Sequence, residues 1–160
     1  MLPAGLAVLG GGLLTATLNL AGLRVGATPA EVVLWGALGV LFARVFSVGA
    51  LVLAVPLLLA GIELASWPFG PSAAAGPGDP LTLALPGERR LELTALVFGA
   101  AYGAWAQAFG LRAGATWCAL GAVLLASIAR DGQLPTITLL GAALLLPNLD
   151  RLERLLRQEP

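Results

Sequence analysis

The chain has no histidine, no lysine and a single cysteine among its 160 residues. Each gap removes a class of chemistry. Without lysine there is no anchor for a retinal-type Schiff base and no amine nucleophile. Without histidine there is no Ser-His-Asp triad, no histidine-rich metal site and no histidine-ligated haem. Cys118 alone can form neither an internal disulfide nor a cysteine-rich zinc site. No neighbouring base supports it as a reactive thiol, so it reads as a small buried apolar residue. These residues call for no cofactor and no metal.

Charge is scarce as well. Charged residues make up 11% of the chain and hydrophobic residues 58%, with a mean hydropathy of +0.90. A soluble domain carries about 25% charged residues. With so few there is too little charged surface to coat a globule, and the expectation is a multi-pass membrane protein. Its compactness and short loops point to a bacterial inner membrane. Nine acids balance nine arginines. No basic run with interleaved aromatics is present, so no nucleic-acid partner is implied. The N-terminal stretch has no Lys or Arg ahead of its apolar run. It therefore reads as a first membrane helix rather than a cleaved signal.

Six apolar segments follow one another: residues 4–22, 30–46, 48–66, 94–110, 114–129 and 134–149. A crossing needs about 20 residues, so 30–66 is too long for one span. The break is expected at "ARVFSVG", where Arg44, Ser47 and Gly49 cluster. Several segments are short, near the lower limit of about 17 residues. The fold class expected is thus all-α, with six short transmembrane helices. Its parts are a first three-helix unit (1–66), a Pro/Gly-rich loop (67–93), a second three-helix unit (94–149) and a tail (150–160).

Inside the loop, "LTLALPGERRLEL" at 81–93 alternates apolar and other residues around Pro86-Gly87. That pattern predicts a β-hairpin; the alternative is an irregular loop running into the fourth helix. In the tail, Leu149, Leu152, Leu155 and Leu156 recur at helical spacing, with Asp150, Arg151, Glu153, Arg154 and Arg157 elsewhere on the wheel. This predicts a short amphipathic helix at the membrane surface, on the anionic cytoplasmic leaflet. The arginine bias places both termini in the cytoplasm.

One phrase occurs twice. "GLRVGAT" at 22–28 returns as "GLRAGAT" at 110–116, and "WGALG" at 35–39 returns as "WCALG" at 117–121. Asn19 and Gln107 occupy equivalent places upstream. The echo suggests duplication of a three-helix unit. Three crossings leave the second copy inverted, related to the first by a pseudo-two-fold axis in the membrane plane. Each phrase is expected at the turn after its unit's first helix. Gly22 and Gly110 would form the turn, Arg24 and Arg112 would reach the headgroups, and Thr28 would cap the next helix, with Thr116 at the matching place in the second phrase.

Polar residues within apolar spans are costly unless paired, and so are the functional pointers. They are Asn19, Arg44, Glu63 and Gln107, with Tyr102, Thr136 and Thr138 as further candidates. Glu63 and Arg44 could face each other, or both could sit solvated at interfaces. Asn19 and Gln107 could pair across the pseudo-two-fold axis. Gly99 and Gly103, four apart, suggest close helix packing. No pair of carboxylates shares a span, and "ARDG" at 129–132 lacks the further Asp residues of a lipid transferase. The expectation is a non-catalytic subunit or scaffold of a larger membrane complex. Its partners would be membrane lipids and either another membrane protein or further copies of itself. A small transporter, channel or substrate-binding transport subunit on inverted repeats is the alternative.

Overall fold

A computed structural model describes residues 2–22, 24–66, 82–85, 89–130 and 133–158. Among them the chain is predominantly helical. The helices are α1 (Leu2–Leu20), α2 (Arg24–Val45), α3 (Gly49–Ser66), α4 (Leu93–Ala108), α5 (Ala113–Ala129), α6 (Thr136–Leu145) and α7 (Leu149–Gln158). A 3-10 turn at Leu146–Asn148 joins the last two. A two-stranded antiparallel sheet pairs β1 (Thr82–Ala84) with β2 (Arg90–Glu92), Leu83 facing Leu91. Within the alternating stretch, Thr82–Ala84 and Arg90–Glu92 therefore pair as strands, and Leu93 already opens α4. The Pro86-Gly87 turn, and most of the Pro/Gly-rich loop before it, lie outside the described residues.

The break between the second and third segments falls at Phe46–Val48. α2 is longer than the 30–46 run suggests. It begins at Arg24 and runs through Pro29, the sixth residue, which supplies no N–H to the helix and so leaves out one intrahelical hydrogen bond. Two windows, Thr28–Val45 and Gly49–Ser66, are long and apolar enough to cross a membrane. Only 22% and 17% of those windows are buried in the structure, whereas the core helix of a soluble protein is mostly covered. α1 (from Gly5) and α5 are apolar but shorter.

Contacts fix the helix directions. Gly11 of α1 lies against Ala30 and Leu34 of α2, so these two form an antiparallel pair around a short turn. Gly39 meets Val97 and Ala100, and further along α2 Ala43 meets Trp105, so α2 and α4 run parallel. Gly103 under Trp117 makes α4 and α5 antiparallel. Gly141 against Pro56 and Glu63 against Ile137 make α3 and α6 antiparallel. The bundle thus has two ends. One carries the α1–α2 turn, the sheet and the α5–α6 turn; the other carries the α2–α3 and α4–α5 turns and α7.

The core is centred on α4. Tyr102, Trp105, Ala101 and Ala106 are fully buried, with Leu120, Leu140, Leu144 and Val52 around them. Phe42, Phe46, Phe98, Tyr102 and Trp105 form a chain of ring contacts between α2 and α4, with centroids 4.6–6.1 Å apart. Such pairs add roughly 0.5–1.5 kcal/mol each beyond area burial. Leu83 and Leu91 seat the sheet on the helices. This burial stabilises a two-stranded sheet that is marginal in isolation. α1, by contrast, packs on α2 at the edge of the bundle, with Leu9 and Leu13 each 72% exposed.

Gly103 of the Gly99/Gly103 pair is a close approach, to Trp117 of α5, and Gly39, which the spacing did not mark, is another. A Cβ on Gly39 would run into the Val97 carbonyl, which is backbone and cannot move aside. A Cβ on Gly103 would run first into the ring of Trp117, a half-exposed side chain rather than backbone. Gly39 is what allows α2 to lie against α4.

A candidate site made of helix-end clamps

Glu63 sits in the penultimate turn of α3. Its carboxylate accepts hydrogen bonds from the backbone N–H groups of Ile137 (3.1 Å) and Thr138 (2.6 Å). These are the second and third residues of α6. The helix's own N-cap residue is Pro135, which makes no side-chain cap bond. A carboxylate supplied by α3 fills that role, satisfying two donors and complementing the positive end of the helix dipole. Glu63 does not face Arg44. Arg44 is exposed in the last turn of α2, next to where α3 begins, while Glu63 lies 14 residues further along, roughly 20 Å at 1.5 Å per residue.

Asn148 makes three side-chain hydrogen bonds, and the sequence reading did not single it out. It is fully buried in the 3-10 turn. Its Nδ2 donates to Thr116 Oγ1 (2.8 Å) and to the Leu144 carbonyl (2.7 Å), and its Oδ1 accepts the Arg112 N–H (2.7 Å). The amide thus ties the second "GLRxGAT" turn to the end of α6. The available signal was a polar residue directly after Pro147, inside an otherwise apolar run.

Trp105 provides a third clamp. Its indole N–H is shared between the carbonyls of Ala43 (3.0 Å) and Phe46 (3.1 Å), at the C-terminal end of α2 where carbonyls lack helical partners. A fourth joins α5 to α6: the Ser127 and Thr136 hydroxyls are 2.8 Å apart and buried. Among the described residues three hydroxyls, of Thr15, Tyr102 and Thr138, are buried without a hydrogen-bond partner.

The echoed phrases occupy opposite ends of the bundle, as the helix directions require. Their turns share backbone detail. Gly22 and Gly110 both adopt positive φ, 75° and 62°. The Gly22 N–H bonds to the Asn19 carbonyl (3.0 Å), and the Gly110 N–H to that of Gln107 (3.3 Å). A left-handed glycine is the usual stop after a helix. The threonines are not N-caps, however. α2 starts at Arg24 and α5 at Ala113, so Thr28 is the fifth residue of its helix and Thr116 the fourth, both buried. The Arg24 side chain lies outside the described residues. Arg112 is half-exposed and pairs with Asp150 (3.1 Å).

Asn19 and Gln107 do not meet. Asn19 Nδ2 makes a long contact to Glu31 Oε1 (3.4 Å), and Gln107 is exposed at the far end of α4. The cause is directional: the helices that carry them end at opposite ends of the bundle. The two units also pack differently. α2 lies along α4, while the counterpart pair, α1 and α5, is not among the extensive contacts of the described residues. Cys118 is exposed on α5 rather than buried. Among the described residues no three side chains of the metal-ligating types come together.

The class these features define is a helical bundle with a small sheet, whose interior polar groups tie helix ends together. Comparison with protein-family models, with curated proteins and with solved structures finds no match for this chain.

Proposed function

We propose that the protein is a multi-pass membrane subunit or scaffold, without chemistry of its own, that works through helix contacts with a membrane partner. The observation that carries this reading is the use of the interior polar groups. Glu63, Asn148, Trp105 and the Ser127–Thr136 pair are each engaged with a helix end or with one another. Groups so occupied hold helices together and are not poised for proton transfer or nucleophilic attack.

The surface supports a membrane setting. Leu6, Leu9, Leu13, Leu57, Leu58, Ile62 and Leu125 are all more than half exposed, which in water would be a severe liability. Six helices cross in this reading, the shortest being α6, which with its 3-10 turn covers Thr136–Asn148, roughly 20 Å at 1.5 Å per residue, and so calls for a locally thinned bilayer. The end bearing α7 faces the cytoplasm, because Arg44, Arg112, Arg151, Arg154 and Arg157 gather there against Arg24, Arg89, Arg90 and Arg130 at the other end. The inversion of the two echoed turns supports duplication of a three-helix unit. α1 is the surface for a partner: it stands at the edge, and Gly5 and Gly10 have open space before them, so another helix can approach closely.

The test is a gentle-detergent pull-down from native membranes. The reading expects a membrane protein, or further copies of this chain, at fixed stoichiometry, lost when Gly10→Leu blocks the α1 face. A transport role has one observation in its favour, the unpartnered hydroxyls of Tyr102 and Thr138. Solute flux by the purified protein alone in liposomes, abolished by Tyr102→Phe, would replace the scaffold reading with that one.

A further inference from the structure

At the α7 end of the bundle, Phe109, Gly110, Arg151, Arg154 and Leu155 line a shallow, open surface cavity of about 260 Å³. Its chemistry is two-sided. Arg151 and Arg154 are three apart on α7 and so project from one face of that helix. Phe109, at the end of α4, and Leu155 supply an apolar wall. Gly110 is the left-handed residue of the second echoed turn, and its carbonyl accepts a hydrogen bond from Arg151 Nη1 (2.5 Å). That bond fixes the guanidinium at the cavity while using one of its five N–H donors.

The charge around the cavity is unbalanced. Asp150 is shared between Arg112 (3.1 Å) and Arg154 (3.7 Å), and Arg154 also donates through Nε to the Asp150 carbonyl (3.2 Å). Glu153 is taken by Arg157 (2.6 Å). Among the described residues Arg151 has no carboxylate partner. Three guanidiniums, of Arg112, Arg151 and Arg154, therefore stand against one carboxylate.

From this juxtaposition we infer that the cavity binds the phosphate headgroup of an anionic phospholipid. The guanidiniums hold the phosphodiester oxygens, and Phe109 and Leu155 contact the glycerol and first methylenes of the chains. The inference rests on the membrane reading but not on any protein partner. Three observations favour a lipid over free phosphate. The site is half apolar, which suits an amphiphile. Its volume lies just below the roughly 300–1,000 Å³ of sites that enclose a whole drug-sized ligand, which suits a headgroup with its tails outside. Leu146 in the 3-10 turn and Leu149 at the start of α7, both exposed, carry apolar surface up to the level of the arginines, where acyl chains would run. Guanidinium forks match phosphate oxygens in geometry as well as charge, and basic pockets beside helices on the cytoplasmic side are where such headgroups are held.

The experiment uses the full chain, purified and placed in nanodiscs of phosphatidylcholine with a minor fraction of phosphatidylglycerol. Native mass spectrometry then counts retained lipids. The wild type is expected to keep one phosphatidylglycerol. Arg151→Gln and Arg154→Gln should each weaken retention about fivefold, the worth of one basic side chain near an anionic surface. Arg157→Gln removes the same charge from the same helix but away from the cavity, and should retain the lipid. Phe109→Ala, which keeps every charge, should also weaken it. Circular dichroism checks that each variant is folded. Equal losses in Arg157→Gln and Arg151→Gln would reduce the effect to diffuse attraction and overturn the site. Displacement of the lipid by excess inorganic phosphate would overturn the choice of ligand. Recovery of the chain in the soluble fraction of cells would instead defeat the membrane reading beneath it.

Discussion

Replacing Asn148 with alanine separates a structural clamp from a dispensable polar residue. The side chain is fully buried and makes three hydrogen bonds, of 2.7, 2.7 and 2.8 Å, two to the start of α5 and one to the end of α6. Alanine removes all three and leaves the Arg112 N–H and the Leu144 carbonyl without that partner. In membrane bundles an interhelical bond is worth about 0.6–1.7 kcal/mol, and a buried group left unsatisfied costs about 1–3 kcal/mol. The bonds share one side chain, so their losses are not independent. A total of roughly 2–4 kcal/mol follows, or about 5–15 °C in melting temperature at 2–4 °C per kcal/mol. The assay is thermal unfolding in detergent, read by near-UV circular dichroism. Thr116→Val, which removes one partner, should cost about 1 kcal/mol. Adding it to Asn148→Ala should cost little more, because the bond is already gone. An Asn148→Ala protein melting within about 1 °C of wild type would refute the reasoning, as would strictly additive costs.

Further outcomes follow from the other contacts. Glu63→Ala should destabilise by about 1–2 kcal/mol, the scale of losing an N-cap with its charge–dipole term; Glu63→Gln, which keeps one acceptor, should cost less, and thermal melts compare them. Gly39→Ala should cost at least 1–3 kcal/mol by overpacking, because its Cβ meets the Val97 backbone, whereas Gly103→Ala should be nearly neutral once the half-exposed Trp117 ring turns away. Trp105→Phe keeps the ring stack but frees the Ala43 and Phe46 carbonyls, and should cost about 1–2 kcal/mol, seen first as faster hydrogen exchange at the end of α2.

Helix positions were legible because long apolar runs broken by small polar clusters leave few other options. The break near Arg44–Gly49 was legible for the same reason, and the strands at 82–84 and 90–92 because alternation has a period that no helix shares. Which helix packs on which was not legible. These helices are apolar on every side, so no stripe marks the inward face, and Gly39 could not be told from Gly103 without knowing that Val97 lies opposite. Glu63 was recognised as a costly residue, but its partners are backbone N–H groups, which carry no sequence signature. Asn148 was overlooked because Thr116 and Arg112, more than 30 residues away, are what give it a role. The echo at Gly22 and Gly110 was legible as a turn because both positions need a backbone conformation that glycine adopts readily. The helix starts after it were misplaced, since Arg24 and Ala113 enter helical conformation before the threonines do.

The central claim is a membrane bundle in which the two echoed turns lie at opposite ends. The most direct measurement places one cysteine beside each turn, Ala21→Cys and Ala108→Cys, both exposed positions, in a Cys118→Ala background. Sealed right-side-out and inverted membrane vesicles are then treated with a membrane-impermeant maleimide. The account predicts labelling of the Ala108→Cys protein in inverted vesicles alone and of the Ala21→Cys protein in right-side-out vesicles alone. Labelling of both from the same side, or recovery of either protein outside the membrane fraction, would contradict it.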